Sequence, residues 1–307
     1  MKHRVLPVIL ALAIVGLLYT IEYIFFESYG AVTFLFAPLV LGFLPVVLYA
    51  QFNGVAPPSP FKLGLVTLAS AMLIILLAAL DGILCLAMAV PIAVPVTLLG
   101  SLIGKAVTHK TPPAIGPTLS VVLLLGAASL GFDRTSAPAR LLPVRTAVQI
   151  NASAQTVWDE MLEFDTIQRE RDWLFKTGIS YPVDAHVIMT AIDTVRYCNF
   201  STGSFVEPIT TWDPPRLLAF DVREQPVPMS EMNPFYDIHP SHLETTFLSR
   251  KGQLKLTEIG PGLTELEGTT WYEVHMGPEW YWRAWSDFII HRIHLRVLNT
   301  VKFAAEE

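Results

Sequence analysis

The sequence predicts an all-α transmembrane bundle followed by an α+β domain, a curved antiparallel sheet closed by a long C-terminal helix. Three observations predict it. Leu, Val, Ala and Ile dominate residues 5–132 in successive apolar runs. Charge is concentrated beyond them: 24 acidic and 16 Lys/Arg side chains from Asp133 onward, against 3 and 5 before it. Beyond residue 143 the periodicity reads β–α–α–β (about six)–α, the order of a domain with an antiparallel sheet and segregated helices.

Runs of ~18 or more apolar residues read as membrane-crossing helices. Five are found: Val5–Phe26, Val32–Ala50, Leu63–Leu80, Ile83–Gly104 and Ala114–Phe132. The second and fifth are short and Pro91 and Pro95 interrupt the fourth, so a four-span count stays open. The "AVPIAVP" stretch reads either as a proline-kinked span or as a broken helix. "MKHR" before the first run resembles a signal peptide, but no small-residue cleavage site follows directly, so an uncleaved helix is expected. With the N-terminus inside, Lys2, Arg4, Lys62, Lys105 and Lys110 all fall on the cytoplasmic side, while the outer connections hold Glu27 and Asp81. Five spans then place the polar half outside the cell membrane. The expected organisation is a transmembrane region over 1–132, a linker over 133–143 and a folded domain over 144–307.

In the polar half, "RTAVQI" alternates as a strand, and "NASAQTVWDEMLEF" follows as a helix capped by Ser153 or Asn151. A second helix is expected over Thr166–Lys176, ending at Gly178. Strands follow at "VRYCNF", "SFVEPITTW", "RLLAFDV", "HLETTFLS", "QLKLTEI" and "LTELEGTTWYEVH", joined by "STG", "DPP", "RKG" and "GPG". The Glu224–His242 loop, with four prolines, two methionines, Phe235 and Tyr236, reads as a bilayer contact, a lid or a plain connection.

"VQINASAQTVWDEMLEF" resembles the opening strand and helix of the START-like, polyketide-cyclase-type superfamily (SRPBCC, helix-grip fold). "FSTGSFVEPITTWDPPRLLAFDV" is similar to its paired central strands, and "GTTWYEV" with the aromatic helix to its last strand and C-terminal helix. The resemblance covers about residues 144–305. It implies an apolar cavity for lipids, sterols, quinones or polyketides, with no universal catalytic residue to carry over. The apolar runs before it depart from the typical soluble member.

On the terminal helix, at about 100° per residue, Tyr281, Trp282, Trp285, Phe288, Ile289 and Ile293 share one wide face, expected to meet the sheet. Asp287, Arg283, His291, His294 and Lys302 fall opposite. Arg292 and Arg296 lie in the middle of the apolar face. Either they pair with sheet carboxylates such as Glu265, Glu267 or Glu273 or snorkel out of the groove end, or they hold a ligand's polar head, a task that suits the planar guanidinium. The candidate ligand-binding residues are therefore Tyr197, Phe220, Trp271, Glu273, Trp282, Trp285, Ile289, Arg292 and Arg296.

No P-loop, dinucleotide fingerprint or G-x-S-x-G elbow is present. The histidine pairs His239/His242 and His291/His294 lack accompanying ligands, so no metal and no cofactor is expected. Cys85 and Cys198 lie in different halves and form no disulfide framework. The acidic polar half argues against nucleic acid as a partner. The expected function is membrane-tethered binding of a lipophilic small molecule. An enzyme on a lipophilic substrate, with Glu207, Glu273 or Tyr197 moving protons, and a sensor with a filled cavity stay open as alternatives.

Overall fold

The computed structural model describes residues 2–26, 30, 32–109, 114–135, 140–190 and 193–307. It falls into two compact units: Met1–Pro138 with Glu231–Pro240 and Met276–Pro278, and Ala139–Ser230 with Ser241–His275 and Glu279–Glu307.

The first unit is helical: α1 (Lys2–Phe26), a π-helical turn (Val32–Phe36) leading into α2 (Ala37–Asn53), α3 (Pro60–Leu77), α4 (Ile83–Val107) and α5 (Ile115–Thr135). Prolines open α2 and α3, where a missing amide costs nothing. Gly54 closes α2 in the left-handed conformation at φ 69°. Among the described residues three helices are long and apolar enough to cross a membrane: Val32–Asn53, Pro60–Leu77 and Ile83–Val107. The apolar stretches of the other two, Val5–Thr20 and Ile115–Ser129, are shorter. Pro91 and Pro95 are accommodated inside one continuous α4, so the broken-helix reading is set aside. Glu27, Lys110 and residues 136–139 of the expected linker lie outside the described residues. The linker's first residues, Asp133–Thr135, continue α5.

Glycine lets α2, α3 and α4 approach to backbone contact. A Cβ on Gly42 would lie 2.0 Å from the Thr97 carbonyl oxygen, and one on Gly100 2.1 Å from that of Leu39. Ser101 Oγ, which donates to the Gly42 carbonyl at 3.3 Å, occupies the space beside Gly64. Small residues of this kind are how helices associate where lipid removes the hydrophobic drive.

The second unit holds β1 (Leu142–Ile150), α6 (Ala154–Leu162), β2 (Pro182–Met189), β3 (Thr194–Phe200), β4 (Gly203–Asp213), β5 (Leu217–Asp221), β6 (Phe247–Gly260), β7 (Leu263–Val274) and α7 (Glu279–Glu306). All pairings are antiparallel, in the order β1-β7-β6-β5-β4-β3-β2. Ser153 caps α6, accepting from the Thr156 amide at 3.2 Å. Asn151 instead donates to Glu306. Ile150, Leu218, Leu254, Leu256 and Leu266 of the sheet's inner face pack on Val157, Trp158 and Met161 of α6 and on Leu298, Val301 and Ala305 of α7. Burying one such side chain contributes about 1.5–3 kcal/mol.

Three expected elements differ. The "HLETTFLS" strand starts as a 3-10 turn, Ser241–Glu244, and joins β6 only at Phe247. The helix over Thr166–Lys176 shrinks to a 3-10 turn, Trp173–Thr177, started by Asp172 and closed by Gly178. Upstream of it the chain is extended, because the amides of Phe164 and Ile167 donate to carbonyls of the β2 edge. The "RKG" turn does not exist: β6 runs unbroken through it, with a bulge between Ser249 and Lys251.

Candidate functional site

Cross-strand partners share a face, so the β3–β4 hairpin decides what β3 turns inward. Its two-residue turn, Ser201-Thr202, ends at Gly203, whose φ of 142° disfavours other residues. That turn sets Arg196 opposite Glu207 and Cys198 opposite Phe205. Glu207 lies two residues before Ile209, which packs on the inner core, so the two share a face and Arg196 and Glu207 point inward. They are 3% and 6% exposed, and Arg196 Nη1 donates to Glu207 Oε2 at 2.5 Å. Arg196 also stands 5.6 Å from the Phe220 ring. Phe220 lies over Gly252, where a Cβ would be 2.6 Å from the ring.

Burial pushes the Glu207 carboxyl up and the Arg196 guanidinium opposes that rise. Burial pushes the Cys198 thiol up to about 12, which denies it thiolate character at neutral pH. The buried Arg196 Nε has no hydrogen-bond partner among the described residues.

From α7, Arg292 pairs through Nη2 with Asp172, and its Nε is buried without a partner among the described residues. Asp172 also accepts from the Leu174 amide at 3.2 Å. Arg296 is committed to the backbone, donating to the carbonyls of Pro182 at 3.0 Å and of Ile167 and Arg169 at 3.4 Å. Neither arginine pairs with Glu265, Glu267 or Glu273 among the described residues.

The structure divides the sequence-predicted residues. Phe220 lies on the inner face, Trp282 is buried, and Trp285 and Ile289 are half-buried on α7 beside Arg292 and Arg296. Tyr197 lies on the other face of β3, opposite Val206 and stacked on His186 at 5.4 Å. Trp271 and Glu273 alternate with the inward Tyr272 and so face out. Lys251 lies over Trp271 at 4.9 Å. Arg250 bonds Glu273 at 2.7 and 3.0 Å and holds its carboxyl below the usual range. Sequence reasoning missed Arg196 and Asp172. Counting back from "STG" would have paired the first with Glu207, though not turned it inward.

The expected orientation of α7 is corrected. Asp287, His291 and His294 turn toward the sheet, while Phe288 is 39% exposed. The reason is that β1 and β7 present hydroxyls inward. Tyr272 donates to Asp287 at 2.5 Å. Thr146 meets His291 at 2.8 Å, and Thr270 and Thr146 meet His294 at 2.8 and 3.1 Å.

Burial, with the nearby His291 adding to it, lowers His294 from 6.5 to about 4. The folded unit thus favours the neutral ring. Stability is full above the unfolded value of about 6.5 and falls as pH drops toward 4, by at most roughly 3 kcal/mol. Denaturant titrations from pH 7 to 4 are expected to show this loss, and His294→Gln to reduce it but not abolish it, because burial also lowers His242 to about 4. An unchanged slope would mean the ring is solvated.

No protein-family profile and no curated protein matches the chain. Among solved structures it is similar to the Zhui aromatase/cyclase from Streptomyces sp. R1128, at 14% identity and a TM-score of 0.36, over 54% of this chain and 94% of that one. Norcoclaurine synthase from Thalictrum flavum matches at 11% and 0.33, over 54% and 86%. The di-domain ARO/CYC BexL from the BE-7585A biosynthetic pathway matches at 12% and 0.36, over 69% and 62%. By its own strand order, inner core and terminal helix, the second unit is a helix-grip domain, the fold that the sequence resemblance implied.

Proposed function

We propose that this is a membrane-tethered binding protein for a lipophilic small molecule with an acidic head, held between α7 and the inner face of β3–β5. The observation that carries the reading is Arg292. Its Nε–H is buried with no acceptor among the described residues, and its ion-pair partner is a loop carboxylate rather than the sheet. A buried donor left unmade costs about 1–3 kcal/mol, which a ligand carboxylate or phosphate would recover. The fold supports the apolar part. α7 packs chiefly on β1 and β7 at one edge of the sheet and on β2 at the other, and the strands between carry Phe220 and the Arg196–Glu207 pair on their inner face. The apolar helices hold the domain beside the bilayer, where such ligands concentrate, and tethering raises encounter without new contacts. The distribution of Lys and Arg supports a cytoplasmic N-terminus and an extracytoplasmic second unit.

Native mass spectrometry of the detergent-extracted chain is expected to show a co-purifying small molecule. Arg292→Ala should weaken a long-chain carboxylate about tenfold and the matching alcohol hardly at all. Asp172→Asn, which keeps the cap on Leu174, should tighten the carboxylate. Equal losses for acid and alcohol would make Arg292 structural. No saturable binding of either would overturn the reading.

A further inference from the structure

The helical unit contains one piece of chain from far along the sequence, Glu231–Pro240, drawn from the connection between β5 and β6. It is fastened at the turn between α3 and α4. The Glu231 carboxylate accepts from the amides of Leu84 at 3.1 Å and Cys85 at 2.7 Å, two of the open donors at the start of α4. The Ile83 amide donates to the Met232 carbonyl at 2.8 Å. Asn233 Nδ2 donates to the carbonyls of Leu76 at 2.9 Å and Asp81 at 3.3 Å. Its Oδ1 accepts from the Phe235 amide at 2.9 Å, which sets the bend of the segment. Gly82 makes room for this, since a Cβ there would lie 1.9 Å from Glu231 Oε2.

These bonds fix the height of the segment. α3 ends at Leu77 and α4 begins at Ile83, and both have the length and apolarity of a membrane span. The turn between two spans lies where acyl chains give way to headgroups. At that level the segment exposes three large side chains: Met232 (58%), Phe235 (53%) and Tyr236 (51%). Side chains with an apolar body are favoured at that boundary, and tyrosine also keeps its hydroxyl wet there.

We infer that Glu231–Pro240 is a bilayer-contact strap that lays Met232, Phe235 and Tyr236 into the headgroup–acyl boundary beside the α3–α4 turn. The strap deepens the membrane-tethered reading and rests on it. In the chain it lies between β5, which bears Phe220, and β6, which bears Gly252.

The test uses the unmodified full chain in phosphatidylcholine nanodiscs with two photoreactive phospholipids, one carrying its diazirine near the glycerol and one at the acyl terminus. Peptide mapping is expected to find glycerol-level adducts on residues 232–236 and acyl-terminal adducts within Pro60–Leu77 and Ile83–Val107. The double variant Glu231→Ala/Asn233→Ala, which removes the side-chain bonds to the turn, should lose most of the glycerol-level adducts while keeping the deep ones. Deep adducts in the helices with none on 232–236 would overturn the strap alone. Absence of deep adducts would overturn the membrane reading and the strap with it.

Discussion

Replacing Glu207 by leucine is expected to destabilise the helix-grip unit by about 3–5 kcal/mol, because it leaves Arg196 charged, buried and unpaired. Arg196 is 3% exposed, and no other carboxylate pairs with it among the described residues. A typical domain has only about 5–15 kcal/mol of net stability. The single substitution would therefore consume a large part of it, with a midpoint lowered by roughly 10 °C. The companion variant Arg196→Met/Glu207→Leu removes both charges at similar volume and should regain most of the loss, since a buried ion pair is close to neutral against a packed apolar pair. All 7 tryptophans lie beyond residue 150, so fluorescence-detected unfolding of the full chain in detergent reports on this unit. If the single and double variants lose equal stability, the desolvated pair is not what the site depends on.

The second large effect lies in the helical unit. Gly42→Val and Gly100→Val are each expected to prevent α2 and α4 from closing, lowering the yield of monodisperse detergent-extracted protein severalfold or more. Ordinary overpacking costs about 1–3 kcal/mol because side chains can shift. Here the atoms in the way are the carbonyl oxygens of Thr97 and Leu39, at 2.0 and 2.1 Å from the new Cβ, and they belong to helix backbone. The protein supplies its own controls. At Gly16 and Gly116 a Cβ would meet nothing within 4 Å, so alanine there should be tolerated. Size-exclusion recovery of the four variants side by side decides the matter, and equal recovery would show that the helices do not pack through these glycines.

Much of this architecture is legible because its punctuation is local. Ser153, Gly178, the "STG" turn and the "GPG" turn each carry a conformational reason that needs no tertiary knowledge. What failed was the choice of face. β3 carries apolar groups on both sides, Val195 and Tyr197 against Cys198 and Phe200, so alternation alone cannot say that Arg196 turns inward. α7 misled for a related reason. An apolar stripe predicts the buried face only when the opposing surface is apolar, and β1 and β7 answer with Thr146, Thr270 and Tyr272. The extended chain before the 3-10 turn shows backbone pairing at the β2 edge overriding local helical pattern. Asp172 was out of reach because its partner sits on an element far along the chain.

The strand order has a temporal meaning as well. β1 finds its mate only in β7, with Ile150 opposite Thr264 and Leu142 opposite Tyr272. During synthesis from the N-terminus, β1 emerges directly after the helical region and stays unmatched until Leu263–Val274 have left the ribosome. Closing so long a loop is slow. For that interval β1 waits as an open edge, and products truncated before β7 would be left with that edge permanently available to neighbouring chains.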